Sequence, residues 1–506
     1  MLPSDVKLYR PLAQFEPKCL VELEMIRLSQ EIRKKPEWHV KINQADISEK
    51  WTAEAVAQGM RSEAAQYVID EVKYYSTLRN GKVEPGPVDG SWIASDNIDS
   101  ETLAKFKKLV ADGLENEEKD FHPGSDDLVV DLVHPSLYCY VEERSVLFKT
   151  DGVTEEFLPV DSASPAKKKY VYEVDPPSGK YRWMPAEVSL KDDKVSFDSY
   201  INNLHPIKYK ELYSTVGDIF KQFVPLFNKC LTDVASNSFR HRIDVSHFSW
   251  YDQEFDFDQE FAEEDDQEER YQQFQENRTI LPVPVPEFEV PEKPAKIVDL
   301  NGEKFQVIFK LANIELSPEK AKYGGGTWHV EGIAEERIVA TGIYYYGMDN
   351  ITESKLLFRH SVDDPNYEQG DDRGVYAIFG MENYKPANQK LGHLVAHEGL
   401  SIVFPNTYQH KVQPFELVDK TKPGFRKILV FFLVDPTVKI ISTANVQPQQ
   451  PDWDDVRDES SKDRKGIKMT RQEAEDFREK LMFERKYARD TYEKEYYERE
   501  FSLCEH

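Results

Sequence analysis

The chain has 506 residues, with 65 Lys+Arg against 92 Asp+Glu, giving a formal net charge of −27. Aromatic residues make up 12% of it, which excludes global disorder, because disordered chains lack Tyr, Phe and Trp. The acidity disfavours a general binder of nucleic acid or of acidic membranes, and leaves room for a local basic cleft. Cys19, Cys139, Cys230 and Cys504 lie far apart and form no CxxC pair, a pattern of reducing compartments rather than of disulfide frameworks or zinc fingers. The start, MLPSDVKLYRPL, carries no basic segment followed by an apolar core, so no signal peptide is expected. No run of about 18 apolar residues offers a membrane span. A soluble protein of the cytoplasm, or of the nucleus, is the expectation.

In chain order, residues 12–80 read as helical. Leu20, Leu23, Ile26 and Leu28 fall near helical spacing, and Pro36 and Asn80-Gly81 punctuate the stretch. DSETLAKFKKLVADGLE adds an amphipathic helix that starts from a capping-box-like Ser100. From about residue 120, DLVVDLVHPSLYCYVEERSVLFK and KYRWMPAEVSLKDDKVSFDSYINNLHP are rich in β-branched and aromatic residues and read as strands. YKELYSTVGDIFKQFVPLFNKCLTDV reads as a helix with Leu212, Val216, Ile219 and Phe223 on one face. Residues 251–278 are acidic and of low complexity, a solvated loop or lone helix. Pro282, Pro284, Pro286, Pro291 and Pro294 then demand an extended arm. In residues 297–446, IVATGIYYY, SKLLFRHSV, GVYAIFG, GLSIVFPN and RKILVFFLVDP read as short strands. A capping box from Thr470 to Glu473 opens a charged helix reaching to about Glu500, which should pack on the body or on a partner.

The expected organisation is a helical region at 1–118, a mixed region at 119–250 packing on the core, an acidic and Pro-rich linker at 251–296, a β core at 297–446 and a charged helical tail at 447–506. The fold class is α+β.

The sharpest local feature is YGGGTWHVEG. His329 and Glu331 stand at i and i+2, which in an extended strand puts both side chains on one side, with Cα atoms about 7 Å apart. An imidazole and a carboxylate so placed can share an ion, and non-haem Fe(II) takes two His and one carboxylate. His410, in FPNTYQHKVQPFEL, is the candidate third ligand. Against this, H-x-E arises by chance, and a lone His at a strand end is commonly just hydrogen-bonded. Arg426 shifts the balance. It opens GFRKILVFFLVDP, a strand apolar on both faces, and shares the face of Ile428, Val430 and Phe432. A guanidinium entering a core needs an anion, and a dicarboxylate would supply one to its bidentate fork. The plainer alternative is that Arg426 snorkels at the strand's edge.

The order H-x-E, His, Arg across short strands resembles the iron(II)- and 2-oxoglutarate-dependent dioxygenases. HVEGIAEERIVATGIYYYG is similar to their prolyl-hydroxylase branch. The resemblance implies a double-stranded β-helix, or jelly-roll, core. It also implies Fe(II) held by His329, Glu331 and His410, with Arg426 and Tyr345 on the distal carboxylate of 2-oxoglutarate. Thr341 and Ile343 share the Tyr345 face and line the same pocket. The implied activity is hydroxylation of a small-molecule or peptide substrate with O2, yielding succinate and CO2. Glu331 departs from the commoner H-x-D and sets the backbone slightly further from the metal. At full length, KPEWHVKI, DFHPGSDDLVVDLVHPSLY, SGKYRWMP, SYINNLHP, GGGTWHVEG, FPNTYQHKVQPFEL and KPGFRKILVFFLVDP resemble an uncharacterised fungal family, which supplies no substrate.

Two other readings use the same residues: a catalytically silent scaffold that recruits a protein partner through the acidic segment or the tail helix, and a zinc hydrolase, which would leave Arg426 idle. Elsewhere, His393 and His397 fall in strand and turn. His122, His134 and His205 precede Pro and mark turns. Trp183, Asn202 and Asn203 suit packing and turn capping. Gly324 to Gly326 let the backbone approach the site or flex as a lip. Trp328, Tyr344 and Tyr346 hint at an apolar or planar substrate.

Overall fold

The computed structural model describes residues 8–9, 15–147, 179–237, 239, 241–245, 250–252, 264–367, 371–457, 466–492 and 498–502. The acidic run 253–263 and Cys504 lie outside these residues. In chain order the helices are α1 (Leu20–Arg33), α2 (Trp38–Lys41), α3 (Ala45–Ala57), α4 (Ser62–Leu78), α5 (Ser100–Asp112), α6 (Lys210–Ala235), α7 (Glu264–Asn277), α8 (Asp372–Phe379) and α9 (Arg471–Tyr492). The early strands are β1 (Val83–Pro85), β2 (Trp92–Ser95), β3 (Val129–Val133), β4 (Tyr140–Val141), β5 (Tyr181–Arg182), β6 (Ala186–Lys191) and β7 (Lys194–Phe197). The later ones are β8 (Lys304–Leu316), β9 (Lys322–Tyr323), β10 (Ile338–Asp349), β11 (Lys355–Ser361), β12 (Asn388–Val395), β13 (Leu400–Pro405), β14 (Gln409–Val412), β15 (Phe415–Glu416) and β16 (Gly424–Val434).

The chain is thus a mixed helix-and-sheet protein. Its largest sheet has nine antiparallel strands in the order β1-β2-β13-β10-β16-β8-β6-β7, with β3 also paired to β8. A three-stranded sheet, β12-β11-β14, is separate from it. β10 and β16 lie in the middle, and alternation gives each two buried faces. Leu429, Phe431 and Leu433 face α6, where Phe431 meets Phe220 and Phe223 edge-on at 5.1 and 4.9 Å. That helix comes so close that a Cβ on Gly342 would sit 2.9 Å from Phe227 and 3.0 Å from Phe223. On the opposite face Ile343, Tyr345, Val430 and Phe432 join Leu356 and Phe358 of β11 and Leu391 of β12 in one buried cluster. The space between the two sheets is where the candidate site lies.

Three local readings are corrected. GVYAIFG is not a strand but helix α8. Asp371 caps it by accepting from the Gly374 N–H at 2.8 Å, Gly380 ends it at φ +64°, and Val375, Ile378 and Phe379 are buried at helical spacing. The cap of α5 is Asp99 rather than Ser100, through the Thr102 N–H at 2.8 Å. The tail helix opens as expected, with the Glu473 N–H on Thr470 Oγ1 at 3.1 Å, but it does not reach Glu500, which bridges to Pro386 as extended chain. The helix packs on the body, through Arg478 on Asp120 and Leu481 in the inter-sheet cluster. No helix among the described residues is long and apolar enough to cross a membrane.

The N-terminal helices are tied to the sheet by buried charge. Arg242 reaches Glu71 at 2.9 Å and Asp89 at 3.2 Å, and Lys18 reaches Glu22 at 2.7 Å. Burial alone would raise the Glu22 carboxyl, but Lys18, His241 and Arg242 hold it down to about 2. Asp233 is the exception. It accepts from Trp92 Nε1 at 2.7 Å, yet burial pushes its carboxyl up to about 6. A folded pKa above the unfolded value means stability present below about pH 4 and lost as pH rises through about 6, by at most about 3 kcal/mol. Asp233→Asn keeps an acceptor for Trp92. It should raise the melting temperature at pH 7 and lose that advantage below about pH 4. Thermal unfolding of both proteins across this range checks it, and an offset independent of pH would contradict it.

Candidate metal centre

His410 lies on β14, opposite Phe358 of β11. His329 precedes β10 and pairs with His410 as an isolated antiparallel bridge, each backbone N–H donating to the other's carbonyl at 3.2 and 2.9 Å. Directly opposed residues of an antiparallel pair project their side chains to the same side. The two rings therefore meet, with centroids 4.4 Å apart. Glu331, two residues on, brings Oε1 to 3.2 Å from His410 Nε2 and 3.5 Å from His329 Nε2. Ligand atoms of the three residues all lie within 4.8 Å of one another. Donors bound to one first-row ion at about 2.1 Å stand about 3 Å apart, so this set is near closing distance.

Glu331 is fixed from behind. Its N–H donates to Asn406 Oδ1 at 2.9 Å, and Asn406 Nδ2 donates to the Glu331 and Ile338 carbonyls at 2.9 and 3.1 Å. Gly332 follows at φ +74°, where a Cβ would sit 2.6 Å from Ile338 Cδ1. Gly325, at φ +90°, lets the approaching chain lie against β14, since a Cβ there would meet Val412 O at 3.0 Å. Within the glycine run it is Gly325 that serves close backbone approach, while a Cβ on Gly324 would meet nothing within 4 Å.

The electrostatics suit a cation. Burial would raise the Glu331 carboxyl, but His329 and His410 hold it well below the usual carboxylate range. Burial and the His329 charge push His410 down; burial opposes, yet Glu331 holds His329 up. His329 Nδ1 lies 2.8 Å from the Thr327 carbonyl, a contact that turns Nε2 toward Glu331.

On the large sheet, Thr341 and Tyr345 of β10 share the inner face with Arg426, Ile428, Val430 and Phe432 of β16, as their alternation predicts. Arg426 is 2% exposed. Its guanidinium lies over the Tyr345 ring, with Cζ 4.9 Å from the centroid. It makes no ion pair among the described residues, and Arg426 Nε, Thr341 Oγ1 and Tyr345 Oη are all buried without a hydrogen-bond partner.

Tyr344 and Tyr346 are corrected. They point to the outer face, Tyr344 against Phe223 and Tyr346 against Phe106, and contribute nothing to the site. Trp328 lies under Arg359 and Lys411. His393 contacts Lys34, His397 contacts Ser95, and His205 caps its own turn by accepting from the Ile207 and Lys208 N–H groups. Asn202 and Asn203 hold the carbonyls of residues 134–138. His122 and His134 do more than mark turns, because both gather around Asp131. Asn406 and this second group escaped the sequence reading. The Pro-Asn turn before His410 was the available signal for the first.

Asn406→Ala should leave the chain folded and weaken Mn(II) binding about 10–100-fold, the usual cost of losing a partner behind a metal ligand. His329→Ala should abolish that binding. Mn(II) titration followed by electron paramagnetic resonance checks both.

No curated protein matches the chain. Among solved structures, matches include IDO from Bacillus thuringiensis, at 10% identity, covering 27% of this chain and 48% of that one, with a TM-score of 0.16. The chain thus spans about half of that protein's length. TqaL, an Fe(II)/α-ketoglutarate-dependent dioxygenase, matches at 10% identity over 68% of this chain and 93% of its own, with a TM-score of 0.24. The non-heme monooxygenase ThoJ, as its Ni complex, matches at 13% identity, 37% and 66% coverage and a TM-score of 0.17. Superpositions this loose carry no argument, so the site rests on its own residues. Residues 3–54 match the N-terminal domain of unknown function DUF4246 and residues 62–457 the protein of unknown function DUF4246, and the chain belongs to that family.

Proposed function

We propose that the chain is an Fe(II)- and 2-oxoglutarate-dependent dioxygenase that hydroxylates its substrate, on a double-stranded β-helix core formed by the large and the three-stranded sheets. The observation that carries this is Arg426. A buried guanidinium without an anion costs several kcal/mol, and two orphaned buried hydroxyls, Thr341 Oγ1 and Tyr345 Oη, share its face. An anionic dicarboxylate satisfies Arg426 and Tyr345, two positions apart in register, at once. A zinc hydrolase or a silent scaffold leaves them unexplained.

On this reading His329, Glu331 and His410 hold Fe(II), which supplies, with 2-oxoglutarate and O2, the oxidation that yields succinate, CO2 and a hydroxylated C–H position. Arg426 binds the distal carboxylate through its fork, and Tyr345, two positions away in register, donates its hydroxyl proton to it, while Thr341 lines the same inner face further along the strand. Ile343, Val430 and Phe432 exclude water from that end of the pocket and so strengthen the ion pair. Glu331 stays ionised and needs no proton transfer before metal binding.

The test has two parts. Anaerobically prepared protein with Fe(II) and 2-oxoglutarate should consume O2 on exposure and form succinate. Calorimetry of the Mn(II)-loaded protein should show 2-oxoglutarate binding, weakened at least about thirtyfold by Arg426→Met, since losing one partner of a buried charged pair costs about 2–5 kcal/mol. Absence of 2-oxoglutarate binding, or binding indifferent to Arg426, would overturn the reading.

A further inference from the structure

The inner face of the large sheet carries a second cation that this function leaves unused. On β8, Ile308, Lys310, Ala312 and Ile314 alternate onto one face. Lys310 stands opposite Val430 of β16, and Ile308 opposite Phe432, so Lys310 shares the face of Tyr345 and Arg426. It is half-buried, and its ammonium makes no hydrogen bond and no ion pair within 4 Å among the described residues. The backbone positions of Lys310 and Arg426 are four residues apart in register, about 13 Å along the strands, which suits two anionic groups rather than one.

The neighbouring strand places a carboxylate on the same face without occupying the lysine. Asp131 of β3 stands opposite Ala312 and so shares the Lys310 face. Its side chain is fully buried, Oδ2 takes His122 Nδ1 at 2.8 Å, and Oδ1 has no hydrogen-bond partner. His122, Asp131 and His134 have the residue types of a metal site, but two observations disfavour an ion there. His134 Nδ1 accepts the Ser136 N–H at 3.2 Å, which leaves the ring proton on Nε2, the atom facing Asp131. The charges of Lys310 and Arg478 also bear on this imidazole and, with burial, keep it neutral. The group is a fixed counter-charge beyond ion-pair distance from the lysine, and Trp183 continues the wall from His134 to Phe432, on which it stacks at 5.5 Å.

We propose that Lys310 binds an anionic group, carboxylate or phosphate, of the substrate to be hydroxylated, and so fixes which part of that substrate faces the triad. This rests on the dioxygenase reading. It narrows the substrate to one that carries an anionic group and makes Lys310 the residue that selects it.

The test uses the full chain loaded anaerobically with Mn(II) and excess 2-oxoglutarate, so that Arg426 is occupied. The probes are butyrate, butyl phosphate and butyramide, and paramagnetic broadening of their proton signals by Mn(II) reads binding beside the triad. At least one acid should be broadened and butyramide should not; which acid responds separates carboxylate from phosphate. Lys310→Met should weaken the acid about tenfold or more, and Lys310→Arg should retain it. Calorimetry on the same variants reads 2-oxoglutarate separately. Equal broadening of butyramide, acid binding unchanged in Lys310→Met, or a parallel loss of 2-oxoglutarate affinity in that variant would each overturn the proposal. If Mn(II) does not bind, the reading of the triad fails instead. Saturation-transfer spectra of the same probes with metal-free protein, wild type against Lys310→Met, then decide for or against Lys310.

Discussion

Strand β16 is buried on both faces, and the rest of the molecule is arranged around that constraint. A strand with Leu429, Phe431 and Leu433 on one side and Ile428, Val430 and Phe432 on the other must be covered twice. Helix α6 covers the outer face with a run of phenylalanines, and Gly342 is the concession that lets it approach. The three-stranded sheet covers the inner face, with Phe358 against Phe404 at 5.2 Å. Burying both faces yields a dry interior, and a charge placed there acquires its force from dryness. Arg426 sits at the beginning of this strand, on the inner face, and its burial turns an ordinary ion-pairing side chain into one with a strong demand for an anion.

The triad is built with little freedom. His329 and His410 are set by two backbone hydrogen bonds, so their relative placement does not depend on side-chain rotamers alone. Glu331 is set by the same chain segment and by the Asn406 amide, which grips the carbonyls on both sides of the Gly332 turn. Three candidate ligands placed largely by main-chain geometry would lose little ordering entropy on binding an ion. Glu331 is one methylene longer than aspartate. Asn406 holds its backbone beside the Pro405 turn.

What was legible in the sequence was what strict alternation encodes. The inner and outer residues of β16, the face shared by Thr341, Ile343 and Tyr345, and the closeness of His329 to Glu331 all follow from a period of two. His410 was reachable because a second imidazole follows a strand and turn within the same β region. What was not legible depended on contacts remote in sequence or on competing local signals. GVYAIFG has the composition of a strand, and its helix depends on Asp371, which also takes bonds from Trp250 and Tyr251 more than a hundred residues earlier. Tyr344 and Tyr346 looked like pocket residues by nearness to Tyr345, although the same alternation that places Tyr345 inward sends them outward. Lys310 and Asp131 lie 179 positions apart in number, and only the pairing of β3 with β8 brings them to one face.

The acidic balance and the inner cations are reconciled by distance. A net charge of −27 repels anions at long range, but at physiological salt its field is screened within about 8 Å of each exposed carboxylate. Between the sheets the local balance is different. Arg426 makes no ion pair among the described residues, and the Asp131 carboxylate that shares the Lys310 face is already bonded to His122. Since two cations in a poorly screened interior outweigh a screened exterior, anionic ligands are favoured by the site and disfavoured only on the approach. The expected consequence is kinetic: salt should speed association of acids by screening the exterior, while leaving their dissociation from the buried cations nearly unchanged.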